Sequence, residues 1–100
     1  MSINEEIKKI KELGWEVITD PEKIYWDEIF LQSHMLNSGK DPRTKYEKKP
    51  ILVKRGDKKF LVEPDPDGGW WVWEDNGNII AEKENKEFAL FKLRLKLEDF

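Results

Sequence analysis

Five residues of the stretch EPDPDGGWWVWE could do chemistry together: Glu63, Asp65, Asp67 and Glu74 offer carboxylate oxygens, and Gly68 permits a sharp bend between them. At positions 1, 3, 5 and 12 of a twelve-residue run, with glycine at 6, such oxygens can converge on a hard cation such as calcium. The competing reading is a plain reversal in which Pro66, Asp67, Gly68 and Gly69 turn the chain. That reading is preferred, because the run is rich in turn residues and holds two prolines.

A second cluster is cationic. Residues 1 to 39 hold 4 basic and 8 acidic side chains, residues 40 to 59 hold 9 and 3, and residues 60 to 100 hold 5 and 10. The basic island includes Lys48, Lys49, Lys54, Arg55, Lys58 and Lys59, with Tyr46 among them. Such a group can hold an anionic backbone by counterion release, with bases stacking on nearby indoles. Its plainer role is a solvated hairpin tip kept basic against edge pairing. A sequence pI of about 5.3 favours the plainer role.

The third feature is GGWWVWEDNG, which puts Trp70, Trp71 and Trp73 into four consecutive positions. In a strand, Trp71 and Trp73 point to one face, and Trp70 and Val72 to the other. Both faces then carry large apolar groups, so the sheet is either covered twice or keeps one face for a partner. With Trp26 and Phe30, these tryptophans are the residues expected to bind a protein partner or a second copy of the chain.

Other residue types point less far. Glu28 and Gln32 lie near the centre of an apolar helix face (Ile24, Tyr25, Ile29, Leu31, Met35, Leu36), where a carboxyl with a shifted pKa can serve as acid or base. A polar seam between two packed neighbours is the commoner use of such a pair. His34 is the single histidine and no cysteine is present, which excludes disulfides, thiolate metal sites and cysteine nucleophiles. There is no P-loop, GxGxxG or zincin motif, and no cofactor is expected.

The elements that must position these groups follow from pattern. Ser2 and Glu5 form a capping box, and Ile3, Ile7, Ile10 and Leu13 keep helical spacing until Gly14. WEVI reads as a short extended link, with a strand as the alternative. Thr19 or Asp20 caps a second helix with Pro21 at its first position, expected to last to about Asn37. Gly and Pro mark residues 39 to 50 as an exposed loop. Two hairpins follow, turning at Gly56-Asp57 and at Asn76-Gly77, the second expected as a two-residue turn with Trp73 facing Ile80, Val72 facing Ala81 and Trp71 facing Glu82.

In NKEFALFKLRLKLEDF the alternation from Phe91 to Leu97 suits a strand, while the residue types and Asn85 as cap suit a helix, which is the preferred reading. A helix so apolar on most sides is expected to be well buried. The expected fold is α+β: a four-stranded antiparallel meander of two hairpins, two N-terminal helices and a C-terminal helix, with a fifth strand as the alternative for that last segment. Residues 1 to 100 are read as a single small domain.

Charged residues make up 39% of the chain and mean hydropathy is −0.78, but 38% apolar content with five Trp and five Phe suffices for a core. No run has the length of a signal peptide core or a membrane span, so a soluble, cytoplasmic protein without membrane contact is expected. Abundant Lys and Glu with one Gln and no Cys match the habit of hyperthermophile proteins.

Two local resemblances can be added. Residues 63 to 74 resemble an EF-hand calcium loop, from which they depart by Glu at the first position, by prolines and by flanking strands. WVWEDNGNIIAEKENKEFAL resembles the sheet-and-helix unit of arm-type DNA-binding domains, through Trp71, Trp73, Gly77 and Ala89, over about a fifth of the chain; so generic a match carries no function across. The function expected first is therefore a small non-enzymatic binding or self-associating module using a Trp-rich sheet face. Nucleic-acid binding through the basic segment stands second, and a metal-dependent or carboxylate-based enzyme third.

Overall fold

The computed structural model describes residues 2–25, 27, 50–65 and 68–100. Trp26, Glu28, Phe30, Gln32, His34, Lys48, Lys49 and Asp67 lie outside them, as does the expected second helix beyond Tyr25. The elements are α1 (Ile3–Glu12), β1 (Glu16–Ile18), α2 (Pro21–Tyr25), β2 (Ile51–Arg55), β3 (Lys58–Pro64), β4 (Trp70–Glu74), β5 (Ile79–Glu84) and α3 (Lys86–Glu98). All strands pair antiparallel in the order β1-β2-β3-β4-β5, so each strand lies beside its neighbours in sequence. The fold is α+β, as expected. The fifth strand is the WEVI link, and the C-terminal segment is a helix. No helix among the described residues is long and apolar enough to cross a membrane.

Each helix starts where its cap residue predicts. The Ser2 hydroxyl accepts from the Glu5 amide at 3.1 Å, Asp20 Oδ1 from the Glu22 amide at 3.1 Å, and Asn85 Oδ1 from the Phe88 amide at 2.7 Å. α1 ends in a Schellman arrangement: the Gly14 amide donates to the Lys11 carbonyl and the Trp15 amide to the Ile10 carbonyl, with Gly14 at φ 94. Ile10 and Trp15 then enter the same core cluster, so the helix stop also aims the following indole inward.

Strand alternation builds a core on each side of the sheet. On one face Ile51, Val53, Phe60, Val62, Trp70, Val72 and Ala81 pack with Ile10 of α1 and with Ala89, Leu90, Leu93 and Leu97 of α3. On the other, Leu52 and Leu61 are sealed with Ile24 of α2, and Ile18 and Trp73 pack around them. α3 buries one side only. Leu95 is 43% exposed, although the apolar pattern predicts a well-buried helix. Along the half-buried flanks of α3, cations lie over its rings, Lys92 over Phe88 and Arg94 over Phe91, each 5.1 Å from the ring centre.

The two hairpins turn differently. At Gly56-Asp57 the first central residue alone has positive φ (59), as in a type II′ turn, and Lys54 pairs with Lys59 and Arg55 with Lys58, as expected. The Asn76-Gly77 turn departs from expectation. A type I′ turn needs positive φ at both residues, and only Gly77 has it (φ 92). The chain instead makes a three-residue loop in which the Gly77 amide donates to the Glu74 carbonyl and the Glu74 amide to the Asn78 carbonyl.

Asn76 stabilises this wider loop, since its Oδ1 accepts from the Asn78 amide at 3.0 Å. Trp73 therefore faces Ile79 rather than Ile80, while Val72 does face Ala81. The register shifts again before Trp70 meets Glu84, so Trp71 does not take Glu82 as a simple partner. Lys83, on the bulged part of β5, has φ 54.

Candidate docking face

Trp71 and Trp73 share the face opposite α1 and α3, and both are partly exposed. Their neighbours on β3 are set by register: Glu63 lies opposite Trp71, and Leu61 opposite Trp73. The Trp71 Nε1–H donates to Asp65 Oδ2 at 2.6 Å, and the Trp73 Nε1–H donates to Glu63 Oε1 at 3.2 Å. Two indoles are thus tethered at their polar ends by carboxylates one strand away. Trp70, expected to share the docking role, belongs elsewhere. Its alternate position turns it into the helix-side core at 8% exposure, where Lys86 Nζ sits 4.6 Å from its ring centre.

The same contacts engage two carboxylates of the acidic turn. Glu63 and Asp65 accept from indoles, whereas Glu74 projects from the other face of the sheet, because Glu63 is paired with Trp71 but Glu74 with Phe60. Among the described residues no three His, Asp or Glu side chains gather as metal ligands. The reversal itself is held by the Asp65 amide on the Gly69 carbonyl at 2.9 Å and the Gly68 amide on the Asp65 carbonyl at 3.0 Å, with both glycines at positive φ.

Glu74 has a structural partner. Lys58 Nζ donates to its Oε2 at 2.5 Å, and Asn76 Nδ2 donates to the same oxygen at 3.2 Å. Burial alone pushes the Glu74 carboxyl up, but the Lys58 hydrogen bond and charge outweigh it, and the net displacement is below the ordinary value. The same hydrogen bond raises the Lys58 ammonium above its ordinary value, against a smaller opposing effect of desolvation.

The basic island is divided by the pleat. Lys54 and Lys59 lie on the Trp73 side, Arg55 and Lys58 on the helix side. Lys59 Nζ reaches both oxygens of Asp27 at 3.2 Å, Lys58 holds Glu74, and the Arg55 guanidinium lies 4.4 Å over the Trp15 ring while donating to the Leu13 carbonyl at 3.3 Å. Acceptors set beside the cations offset the repulsion between facing like charges.

Sequence reasoning missed two buried polar links. Glu6 is almost wholly buried on α1 and accepts from Arg94 Nε of α3, and Arg94 also reaches Glu98 at 2.5 Å. Glu6 adjoins Ile3, Ile7 and Ile10 on the helical wheel, so its place on the inner stripe was the available signal. The Glu74 to Lys58 link could have been sought from the Phe60 to Glu74 register, which requires both hairpins to be aligned first.

Comparison of the chain with protein-family models, curated proteins and solved structures finds no match.

Proposed function

We propose that the chain is a non-enzymatic binding module that docks a protein partner, or a second copy of itself, on the sheet face of Trp71 and Trp73. One observation carries the reading: both indoles are partly exposed while their N–H groups are anchored to Asp65 and Glu63. Rings held this way have little rotamer freedom left to lose on docking, and Trp is the residue type most enriched at interface hot spots.

The nucleic-acid reading has less behind it, because Arg55, Lys58 and Lys59 are engaged within the chain and are divided between opposite faces.

Sedimentation across a wide concentration range, paired with capture of binders on the immobilised chain, tests the proposal. Association that weakens by about 2 kcal/mol in Trp71→Ala, with the melting temperature little changed, is the expected result. A chain that stays monomeric and captures nothing sensitive to Trp71→Ala overturns it. Capture restricted to single-stranded nucleic acid and abolished by salt assigns the function to the basic segment instead.

A further inference from the structure

The chain has five asparagines, and Asn76 alone is followed by glycine. That order lets the chain react with itself. The Gly77 backbone nitrogen, losing its proton to solvent, attacks Cγ of the Asn76 side chain. The new N–Cγ bond closes a succinimide ring while the Cγ–Nδ2 bond breaks and ammonia leaves. Water then adds to one of the ring carbonyls and opens the ring to aspartate or isoaspartate at position 76. Glycine has no β-carbon to shield the attacking nitrogen, and such chemistry is one reason asparagine is heat-labile.

Both residues are exposed at the tip between β4 and β5, so water and hydroxide reach them. Every reacting group is nonetheless engaged. Oδ1 of Asn76 accepts from the Asn78 amide at 3.0 Å, which favours attack, because an N–H there takes up the charge that develops on the oxygen. The two bonds made by Glu74 oppose it. Its carbonyl holds the Gly77 N–H, whose proton must leave, at 2.9 Å, and its Oε2 accepts from the leaving nitrogen Nδ2 at 3.2 Å. Glu74 is itself buried and braced by Lys58 Nζ at 2.5 Å.

We propose that Asn76 is a self-modification site, converted through a succinimide with Gly77, and that Glu74, braced by Lys58, is the latch that sets its rate. The product undoes the latch. A carboxylate at position 76 puts an acceptor where Nδ2 now donates to Glu74, and with Asp75 also 4.0 Å from Lys58 Nζ, three carboxylates then crowd that ammonium. Isoaspartate further adds a methylene to the main chain of a loop whose closure sets Trp73 opposite Ile79. Conversion is a one-way loosening of this tip, and it does not depend on the docking reading.

Position 76 of the full chain can be followed by peptide mass spectrometry in mildly alkaline buffer, well below the melting transition, with aspartate and isoaspartate separated by chromatography. In urea, Asn76 should convert ahead of the other asparagines, and the folded parent should convert there at least about tenfold more slowly. Among folded variants, Lys58→Met should speed conversion severalfold and Glu74→Ala by about tenfold. Asn85→Ala, which loosens α3 away from the loop, should leave the rate unchanged. Asn76→Asp, which carries the product charge without the added methylene, should raise hydrogen exchange at the Gly77 amide severalfold.

Conversion led by another asparagine in urea, equal rates in the folded and unfolded chain, or a rate unmoved by Lys58→Met and Glu74→Ala would each overturn the proposal. So would an Asn85→Ala variant that converts as fast as Glu74→Ala, since general stability and not a local latch would then govern the reaction. Lys58 is only partly buried, so its variant reads the latch even where Glu74→Ala fails to fold.

Discussion

The backbone of Lys83 occupies the space that a side chain on Gly69 would need. A β-carbon at Gly69 would lie 2.7 Å from Lys83 Cα and 2.9 Å from its carbonyl carbon, and Gly69 itself sits at φ 82. The close approach lets β5 bulge while Trp70 still pairs with Glu84. Gly69→Ala should therefore destabilise by about 2 kcal/mol or more, read by chemical denaturation, through overpacking added to backbone strain. Lys83→Gly should act in the opposite direction, gaining about 0.5 kcal/mol, because relief of a left-handed φ exceeds the entropic cost of glycine. A pair of variants of the same sign would show that the bulge is not what shapes this corner.

The seam between α1 and α3 depends on a buried ion pair, Glu6 with Arg94. Arg94→Met should cost about 3 kcal/mol, because it strands a carboxylate in the seam, and the double variant Glu6→Leu with Arg94→Met should recover most of the loss. A double-mutant cycle on urea midpoints measures this. Equal losses in the single and double variants would place the energy in packing and not in charge.

The Glu74 and Lys58 pair makes one contribution to stability depend on pH. The folded Glu74 carboxyl binds its proton less readily than an unfolded one near 4.5, so its contribution is present above that value and disappears as pH falls through the lower folded value. The folded Lys58 ammonium keeps its proton beyond the ordinary 10.5, so its contribution is complete below that value and fades as pH rises through the higher folded one. The difference in melting temperature between the parent and Glu74→Gln should be widest on the plateau between these limits and should shrink on acidification. A difference independent of pH would remove the ion pair as its cause.

The start of α3 is set by its cap. Asn85→Ala should cost about 1 kcal/mol and increase hydrogen exchange in the first turn at Phe88 and Ala89, whereas Asn85→Asp should be nearly neutral. Unchanged exchange there would mean that packing of Leu90, Leu93 and Leu97 alone positions the helix.

What could be read in advance divides along physical lines. Local signals carried far: Ser2, Asp20 and Asn85 mark helix starts, Gly14 marks a stop, and the Lys54 to Lys59 register follows from a glycine turn, because each depends on residues a few positions apart. The Asn76-Gly77 turn departs from the type I′ expectation because the Asn76 side chain bonds within its own loop, an alternative open to the same two residues.

For the tryptophans of β4, alternation places Trp71 and Trp73 on one side but does not reveal the burial of Trp70. That burial depends on α1 and α3 covering the opposite side. The tethers to Glu63 and Asp65 needed the β3 to β4 register, a long-range fact, and the same register sets Glu74 on the opposite face from Glu63.

The two irregularities of β5 bear on how the molecule behaves among its own copies. β5 is an outermost strand, and a straight one would offer unpaired amides and carbonyls to any passing extended chain. Here the rim is bent at Lys83 and lined by the exposed charges of Glu82 and Lys83, so a second ribbon cannot zip onto it in register. Crowded solutions should leave the chain free of fibrils, and straightening that rim by deleting one bulge residue is the change most apt to make it polymerise.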